Sequence, residues 1–383
     1  MNSYDALVIG GGLAGCMAAI TLAQRGHRVA LLEAGTYPRA KVCGEFYSPE
    51  CAALFESIGF LPALHALHPN TIRTVRITAP DGTDWRSTLP LPAFGISRYK
   101  LDAALAAYAG QLGVDVRPAT RAVDIEGDLE RGFTVTAQTA GEQWRLCAAG
   151  VIAAHGKRSN LDRALKRKFF DQPQPYIGLK QHFCGQLLPE HLDLHVFPGG
   201  YCGISQVEEG RTNVCLLVEQ AVFQAAGGRV EPFIAWMCQQ NRGLGAWLAD
   251  ASPLYPDWLS IAQVPLSAKT PIEGNVLMAG DAAGMIAPLA GDGMAMALHS
   301  GRLAALALAR FLDGQPGSAM LRSYEKVWRR NFRSRLQLGR TLHRVMIRPA
   351  VLSAGLRLLR QFPRTGDWLV RHTRDFSLLE YMA

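Results

Sequence analysis

The sequence has eight cysteines but no CxxC pair and no cysteine–histidine cluster at metal-ligand spacing. This excludes a zinc ribbon and a disulfide framework, and it suits a reducing cytoplasm, the expected location. Charged residues make up only 19% of the 383 residues, and aromatics 8%. No internal repeat or low-complexity tract interrupts the chain, and 49% of it is hydrophobic, so it reads as globular, long enough for two domains. Ala6 to Gln24 carry no charge at all. A glycine run breaks this segment, and no basic leader or cleavage site accompanies it, so neither a membrane span nor a secretion signal is expected. Paired carboxylates and His/Asp couples are also missing, which leaves no general acid–base pair evident in the sequence.

Acidic residues are scarce toward the C-terminus. From Arg302 onward, 16 Lys and Arg face 5 Asp and Glu, a local balance of +11 within a formal total of +8. All but one of those cations are arginine. Sparse aromatic interleaving excludes a nucleic-acid module, and no nucleic-acid partner is expected. Leu352, Leu356 and Leu359 recur at helical spacing as a core-facing or lipid-facing stripe. Arg357, Arg360 and Arg364 are placed to meet phosphates of a membrane surface or of an acyl-carrier protein, so peripheral membrane attachment is one expectation. A solvated helix face is the other.

The most informative stretch is Ala6-Leu7-Val8-Ile9-Gly10-Gly11-Gly12-Leu13-Ala14-Gly15. An apolar run too short for a helix ends in glycines spaced Gly10-x-Gly12-x-x-Gly15. An alanine- and leucine-rich helical pattern follows, then a second apolar run, Val29 to Leu32, that ends at Glu33. Strand, glycine turn, helix, strand and acid form a dinucleotide-binding unit. Gly10 permits the turn, Gly12 lets the backbone approach a pyrophosphate, and Gly15 lets the helix pack on the strand. Leu13 and Ala14 complete the turn, where the helix N-terminus offers free N–H groups to phosphate. Glu33 is positioned for the adenosine ribose hydroxyls.

Tyr37 to Pro49 reads as a loop, with Arg39 and Lys41 suited to a charge role beside phosphates, and Pro49 opens a helix to about Ile58. Thr71 to Leu89 alternates as a hairpin, and Ser97-Arg98 precedes a helix from about Tyr99 to Leu112. Short strands are expected at Ala122–Ile125, Phe133–Thr136 and Trp144–Cys147, with another at Gly150–Ala154. Tyr176 to Val264 reads as a β-rich unit with one helical insertion from Pro232 to Leu248. The strand Val276–Ala279 then leads into Gly280-Asp281, the segment Pro288 to Gly293, and a helix from Met294 to about Leu312. This second glycine-rich crossing places another helix N-terminus against a ligand, and Asp281 suits ribityl hydroxyls. Helical patterns continue beyond Pro316-Gly317, with breaks near Pro349 and Pro363.

Together these residues resemble the FAD-dependent monooxygenase and geranylgeranyl reductase superfamily, which has the fold of p-hydroxybenzoate hydroxylase. The resemblance implies FAD, with Glu33 at the ribose, Arg98 by the linker and Asp281 at the ribityl or pyrophosphate region. Gly280 accompanies Asp281. Gly291, Asp292, Gly293 and Met294 would face the pyrimidine edge of the isoalloxazine, where backbone N–H groups stabilise negative charge on the reduced flavin. Arg39, Lys41, Cys43 and Gly44 complete the cofactor set, and NAD(P)H is the expected reductant. The implied fold is α/β, a Rossmann-like FAD-binding domain with an interleaved β-rich substrate domain and a C-terminal helical region. The FAD-binding domain takes residues 1–70, 96–175 and 265–312, the substrate domain 71–95 and 176–264, and the helical region 313–383.

Pro38-Arg39-x-Lys41-x-Cys43-Gly44 and Ala297-x-x-Ser300-Gly301 look more like the reductases, whose motif cysteine lies in the active site. Cys43 is therefore a catalytic candidate, with a small buried residue as the other reading. Tyr201 is a second candidate, because Tyr201-x-Gly203-Ile204-Ser205 followed by Asn213-Val214 sits where those reductases carry a substrate motif. The tryptophan of that motif is absent here. His155-Gly156 replaces the Asp-Gly pair of many members, and the WxWxIP signature of flavin halogenases is missing. The resemblance implies an oxidoreductase acting on a hydrophobic small molecule. Hydroxylation of an aromatic, polyketide-like or isoprenoid-like substrate through a flavin C4a-hydroperoxide leads narrowly. Reduction of a C=C bond follows, and halogenation ranks low.

Overall fold

A computed structural model describes residues 3–185 and 189–362. Its first sheet places Ser3–Ile9 between the parallel strands Val29–Leu32 and Glu142–Ala153. Asp115–Arg117 extends it on one side, and Val276–Met278 with Ile272–Glu273 on the other. The chain leaves Ser3–Ile9 toward Val29–Leu32 and later returns on its opposite side. The carboxyl ends of Ser3–Ile9 and Glu142–Ala153 thus flank a topological switch point, where open α/β sheets bind ligands. The helix Leu13–Ala23 is buried around its circumference from Leu13 to Leu22, as its nearly uncharged sequence requires. It lies between this sheet and the long helix Gly293–Leu312.

A glycine makes that second crossing possible. A Cβ on Gly301 would collide with the backbone of Ala14, and Ser300 Oγ accepts the Gly280 N–H at 2.7 Å. The Ser300-Gly301 motif therefore joins the two glycine-rich turns by close helix packing.

The second sheet runs through Tyr176–Cys184, Thr212–Glu219, Gly200–Gln206, His191–Phe197, Asn70–Thr78 and Asp84–Gly95. It ends on the two-residue strand Phe46–Tyr47, so the segment expected as loop from Tyr37 to Pro49 in fact contributes an edge strand. One face carries the helices Val230–Gln240 and Arg242–Asp250 over a core that includes Phe197, Phe233 and Met237. The single helix expected from Pro232 to Leu248 is broken at Asn241, whose side chain leaves the first helix to cap the second at Leu244 N–H. The other face builds a core of Phe46, Val75, Val196, Tyr201, Met285 and Leu352 against the first domain and the last described helix, Pro349–Gln361.

One more expectation changes. Trp144–Cys147 and Gly150–Ala154 belong to one 12-residue strand, Glu142–Ala153, which leaves the meander Arg121–Asp128/Gly132–Thr139 and enters the parallel sheet. The helix opened by Pro49 runs Glu50–Glu56, near its expected end at about Ile58, and Leu61–Ala66 forms a second one not expected from the sequence. Among the described residues no helix is long and apolar enough to cross a membrane, and no group of three metal-ligating side chains occurs. All eight cysteines are free.

Candidate active site

The glycine turn after Ser3–Ile9 is as tight as its sequence implies. Gly10 has φ +103°, and a Cβ there would meet Ala154 and His155 backbone atoms; a Cβ on Gly15 would strike the Gly10 carbonyl. Glu33, 3% exposed, closes the turn from beside it. Its carboxylate accepts the Gly11 and Gly35 N–H groups at 2.8 Å each and meets Arg39 at 2.6 Å. Arg39 thus orients the Glu33 carboxylate from the side. Tyr37, not foreseen, donates to the Gly11 carbonyl at 2.6 Å.

Outside Gly12 the turn faces two cations. An added Cβ there would come within 3.3 Å of Lys41 Nζ and 3.5 Å of Arg98 Nη2. Both are held by one fully buried carboxylate, Asp102: Arg98 pairs with it through Nε at 2.6 Å and Nη2 at 2.8 Å, and Lys41 at 2.9 Å. Burial opposes ionisation of Asp102, but Arg98 and Lys41 prevail and hold its carboxyl below the usual range. Asp102 is one helical turn after Arg98, so the i,i+4 rule applied to the expected helix could have found it.

Gly280 and Asp281 pack beside this turn, with a Gly280 Cβ placed 2.9 Å from Ala14 Cβ. Asp281 is half-buried, and its carbonyl accepts Lys269 Nζ at 2.7 Å. A small cavity here is lined by Gly280, Asp281, Gly293, Ser300, Trp328 and Phe332. Farther along, Gly291 has φ +68° and a Cβ there would meet the Phe46 ring, while Asp292 is buried against Arg335. The Cys43 thiol points at Met294 Sδ, 3.6 Å away. A Cβ on Gly44 would meet nothing within 4 Å, so open space adjoins Cys43.

These surroundings fit FAD. They offer a glycine cradle that side chains would fill, cations facing it, and a partly exposed carboxylate farther along the same groove. A family model described as "FAD binding domain" matches residues 3–183 and 224–336, well over half of the chain. The chain belongs to this FAD-binding family. FAD is its cofactor, and the resemblance to the monooxygenase and geranylgeranyl reductase superfamily stands. Menaquinone reductase of Mycobacterium tuberculosis is 27% identical over 322 residues, covering 79% of this chain and 76% of that protein. Digeranylgeranylglycerophospholipid reductase of Methanosarcina mazei is 27% identical over 354 residues, covering 86% and 81%. The solved structure of the flavin-dependent brominase Bmp2 superposes with a TM-score of 0.80 at 19% identity, covering 97% and 93%. At that identity the likeness speaks for the fold alone.

Within this FAD-binding frame, Asn213, from the motif marked in the sequence, and Lys157, which the sequence did not mark, hold the Cys43 loop. Asn213 Nδ2 donates to the Cys43 and Gly44 carbonyls at 3.2 and 2.9 Å, and Lys157 Nζ to the Val42 carbonyl at 3.3 Å. Glu45, fully buried and at φ +53°, accepts the Arg98 N–H at 2.7 Å and pairs with Lys180 and with His182 at 2.7 Å. Nothing local announces Glu45, because its charge partners lie on the distant strand Tyr176–Cys184.

His155, at the position where the resemblance led to an expected acid, is itself joined to one. Its Nε2 lies 2.9 Å from Asp162, which also receives Arg167 at 2.9 Å. Burial would raise the Asp162 pKa, but His155, the Ser159 amide and Arg167 hold it down to about 2. Tyr201 is buried in the core between the second sheet and the flavin domain, together with Phe46. The structure thus brings Cys43 to Met294 and buries Tyr201 in the core that also holds Phe46.

Proposed function

We propose that the protein is a FAD-dependent reductase of C=C bonds in polyisoprenoid substrates. The observation that carries this reading is the placement of Cys43: partly exposed, beside Met294 of the Gly291–Met294 segment, with open space at Gly44. The names of the two reductase relatives support it, since menaquinone and digeranylgeranylglycerophospholipids both carry polyisoprenoid chains. Bound FAD would supply the redox chemistry, taking reducing equivalents from NAD(P)H and passing hydride to one alkene carbon. The chain's residues do the rest. Asn213 and Lys157 fix the backbone of the Cys43 loop, and the Cys43 thiol donates the proton to the other carbon. The apolar wall of Phe46, Val75, Tyr201, Leu266, Met285 and Leu356 takes the hydrocarbon and excludes water.

The test is turnover without oxygen. Reduced holoenzyme and a polyprenyl alcohol under argon are expected to give a product with two added hydrogens by mass spectrometry. Cys43→Ser is expected to keep the flavin spectrum and lose about a hundredfold in turnover, the scale of a general acid. A strict oxygen requirement with a hydroxylated product would establish the monooxygenase instead.

The basic C-terminal helices bear on delivery. Leu352 and Leu356 are buried in the substrate-side core and Leu359 packs beside them, so that stripe faces inward. Arg357 pairs with Asp81 at 2.9 Å, Arg360 is exposed, and Arg364 lies outside the described residues. The outer side instead presents Val345, Val351, Leu358 and Phe362, the last two 53% and 56% exposed, among the exposed Arg344, Arg348 and Arg360. We propose that this mixed face rests on an anionic lipid surface, which attracts each nearby cation by about 1 kcal/mol. Co-sedimentation with phosphatidylserine vesicles is expected at low salt, to fall as salt screens the attraction, and to weaken in a Leu358→Ser/Phe362→Ser variant. Binding to an acyl-carrier protein without binding to vesicles would refute the lipid assignment.

A further inference from the structure

His343 is not among the residues found at the glycine turn or beside Cys43, yet it is buried beside the substrate-side core. It is 1% exposed, and among the described residues neither ring nitrogen has a hydrogen-bond partner. Native interiors keep few such groups, because the ring has lost its water without replacement. The His343 ring stands edge-on to Tyr176, with centroids 5.0 Å apart, and to Tyr201, at 6.2 Å. Tyr201 belongs to the apolar core that also contains Phe46 and Met285, and the half-buried Tyr176 packs against it.

The surrounding backbone fixes this position. Gly339, one turn earlier on the helix Gly317–Met346, packs against Ile286 and the Ala287 amide, on the segment between Asp281 and Gly291. At the end of the helix, the Ile347 carbonyl accepts the Gly199 N–H at 3.2 Å, next to the strand that carries Tyr201. The helix is thereby tied to the cofactor segment on one side and to the second sheet on the other.

We propose that His343 is the polar contact for the substrate, receiving one uncharged oxygen, hydroxyl or carbonyl, of an otherwise hydrocarbon ligand. The proposal rests on the polyisoprenoid reading of the apolar wall. Burial pushes the imidazole pKa down to about 4, so the ring is neutral at physiological pH. A neutral ring keeps one donor and one acceptor nitrogen and can serve a hydroxyl or a carbonyl. Apolar surroundings favour an uncharged partner over an anion, whose desolvation the ring would not offset.

The test compares two ligands on the holoenzyme by flavin fluorescence: geranylgeraniol, and the corresponding hydrocarbon lacking the hydroxyl. His343→Leu is expected to weaken geranylgeraniol binding about tenfold, the loss of one hydrogen bond, and to leave the hydrocarbon unaffected. Its thermal midpoint is expected to hold or rise, since an unpartnered buried group has been removed. His343→Gln should restore part of the alcohol preference. Equal weakening of both ligands would show that the ring only packs, and unchanged binding of both would show that it meets no ligand oxygen. Wild-type enzyme that bound neither compound would overturn the polyisoprenoid reading, and the His343 contact with it.

Discussion

Asp102→Ala is expected to cost about 3–5 kcal/mol of stability, the penalty for breaking a buried ion pair and stranding its partner. The change leaves two stranded cations, because Arg98 and Lys41 share this one fully buried carboxylate. Urea unfolding of the FAD-free protein is the appropriate measurement, since the pyrophosphate of FAD would itself offer the cations a partner. Added FAD is therefore expected to recover part of the loss, by the ordinary linkage of binding to folding. A loss below about 1 kcal/mol would mean that Arg98 and Lys41 turn outward to solvent, as surface pairs do. The dependence on pH has a definite sign. Arg98 and Lys41 hold the Asp102 carboxyl below its ordinary range in the folded protein despite its burial. Its contribution is thus complete above the unfolded carboxyl pKa and is lost as pH falls through the lower folded value.

Glu45→Gln is the second large effect, again about 3–5 kcal/mol, because the Lys180 ammonium would stay buried without its counter-charge. Burial would raise the Glu45 pKa, yet Lys180 and His182 keep it below the usual range, so this contribution also fades toward acid pH. Adding Lys180→Met should recover much of the loss, since removing both charges is far cheaper than removing one. Non-additivity of that kind, measured by urea unfolding of the single and double variants, separates a true pair from two independent packing defects. Additive losses would show that Glu45 acts through the backbone it holds at φ +53°.

The parts of this molecule that could be read in advance are those in which a residue and its reason lie close in the chain. Gly10, Gly15 and Glu33 belong to one strand–turn–helix–strand unit, and the steric and hydrogen-bonding demands of that unit require those residue types. Asp102 was within reach by its spacing from Arg98. Glu45 and His343 were not, because what gives each its role arrives from a distant strand or from the far end of the chain; Asn213 stood in a marked motif, but its hold on the Cys43 loop did not follow from it. Glu45 has no meaning until the strand Tyr176–Cys184 is laid across it. The break at Asn241 escaped for a different reason. Apolar periodicity continues across it, and only the capping of the second helix by the asparagine side chain marks the boundary. The reading of Leu352 and Leu356 had two outcomes at equal spacing, and burial chose between them.

The three apolar cores have a practical consequence. The glycine cradle and its helix draw on the core of the first sheet, whereas Tyr201 and the inward leucines of the last helix draw on the core between the sheets. On the proposed polyisoprenoid reading, a library confined to Val75, Tyr201, Leu266, His343, Leu352 and Leu356 is expected to change ligand preference without touching the glycine cradle. Each member of such a library would carry its own colorimetric control, because a variant that stays yellow has kept the cofactor half intact.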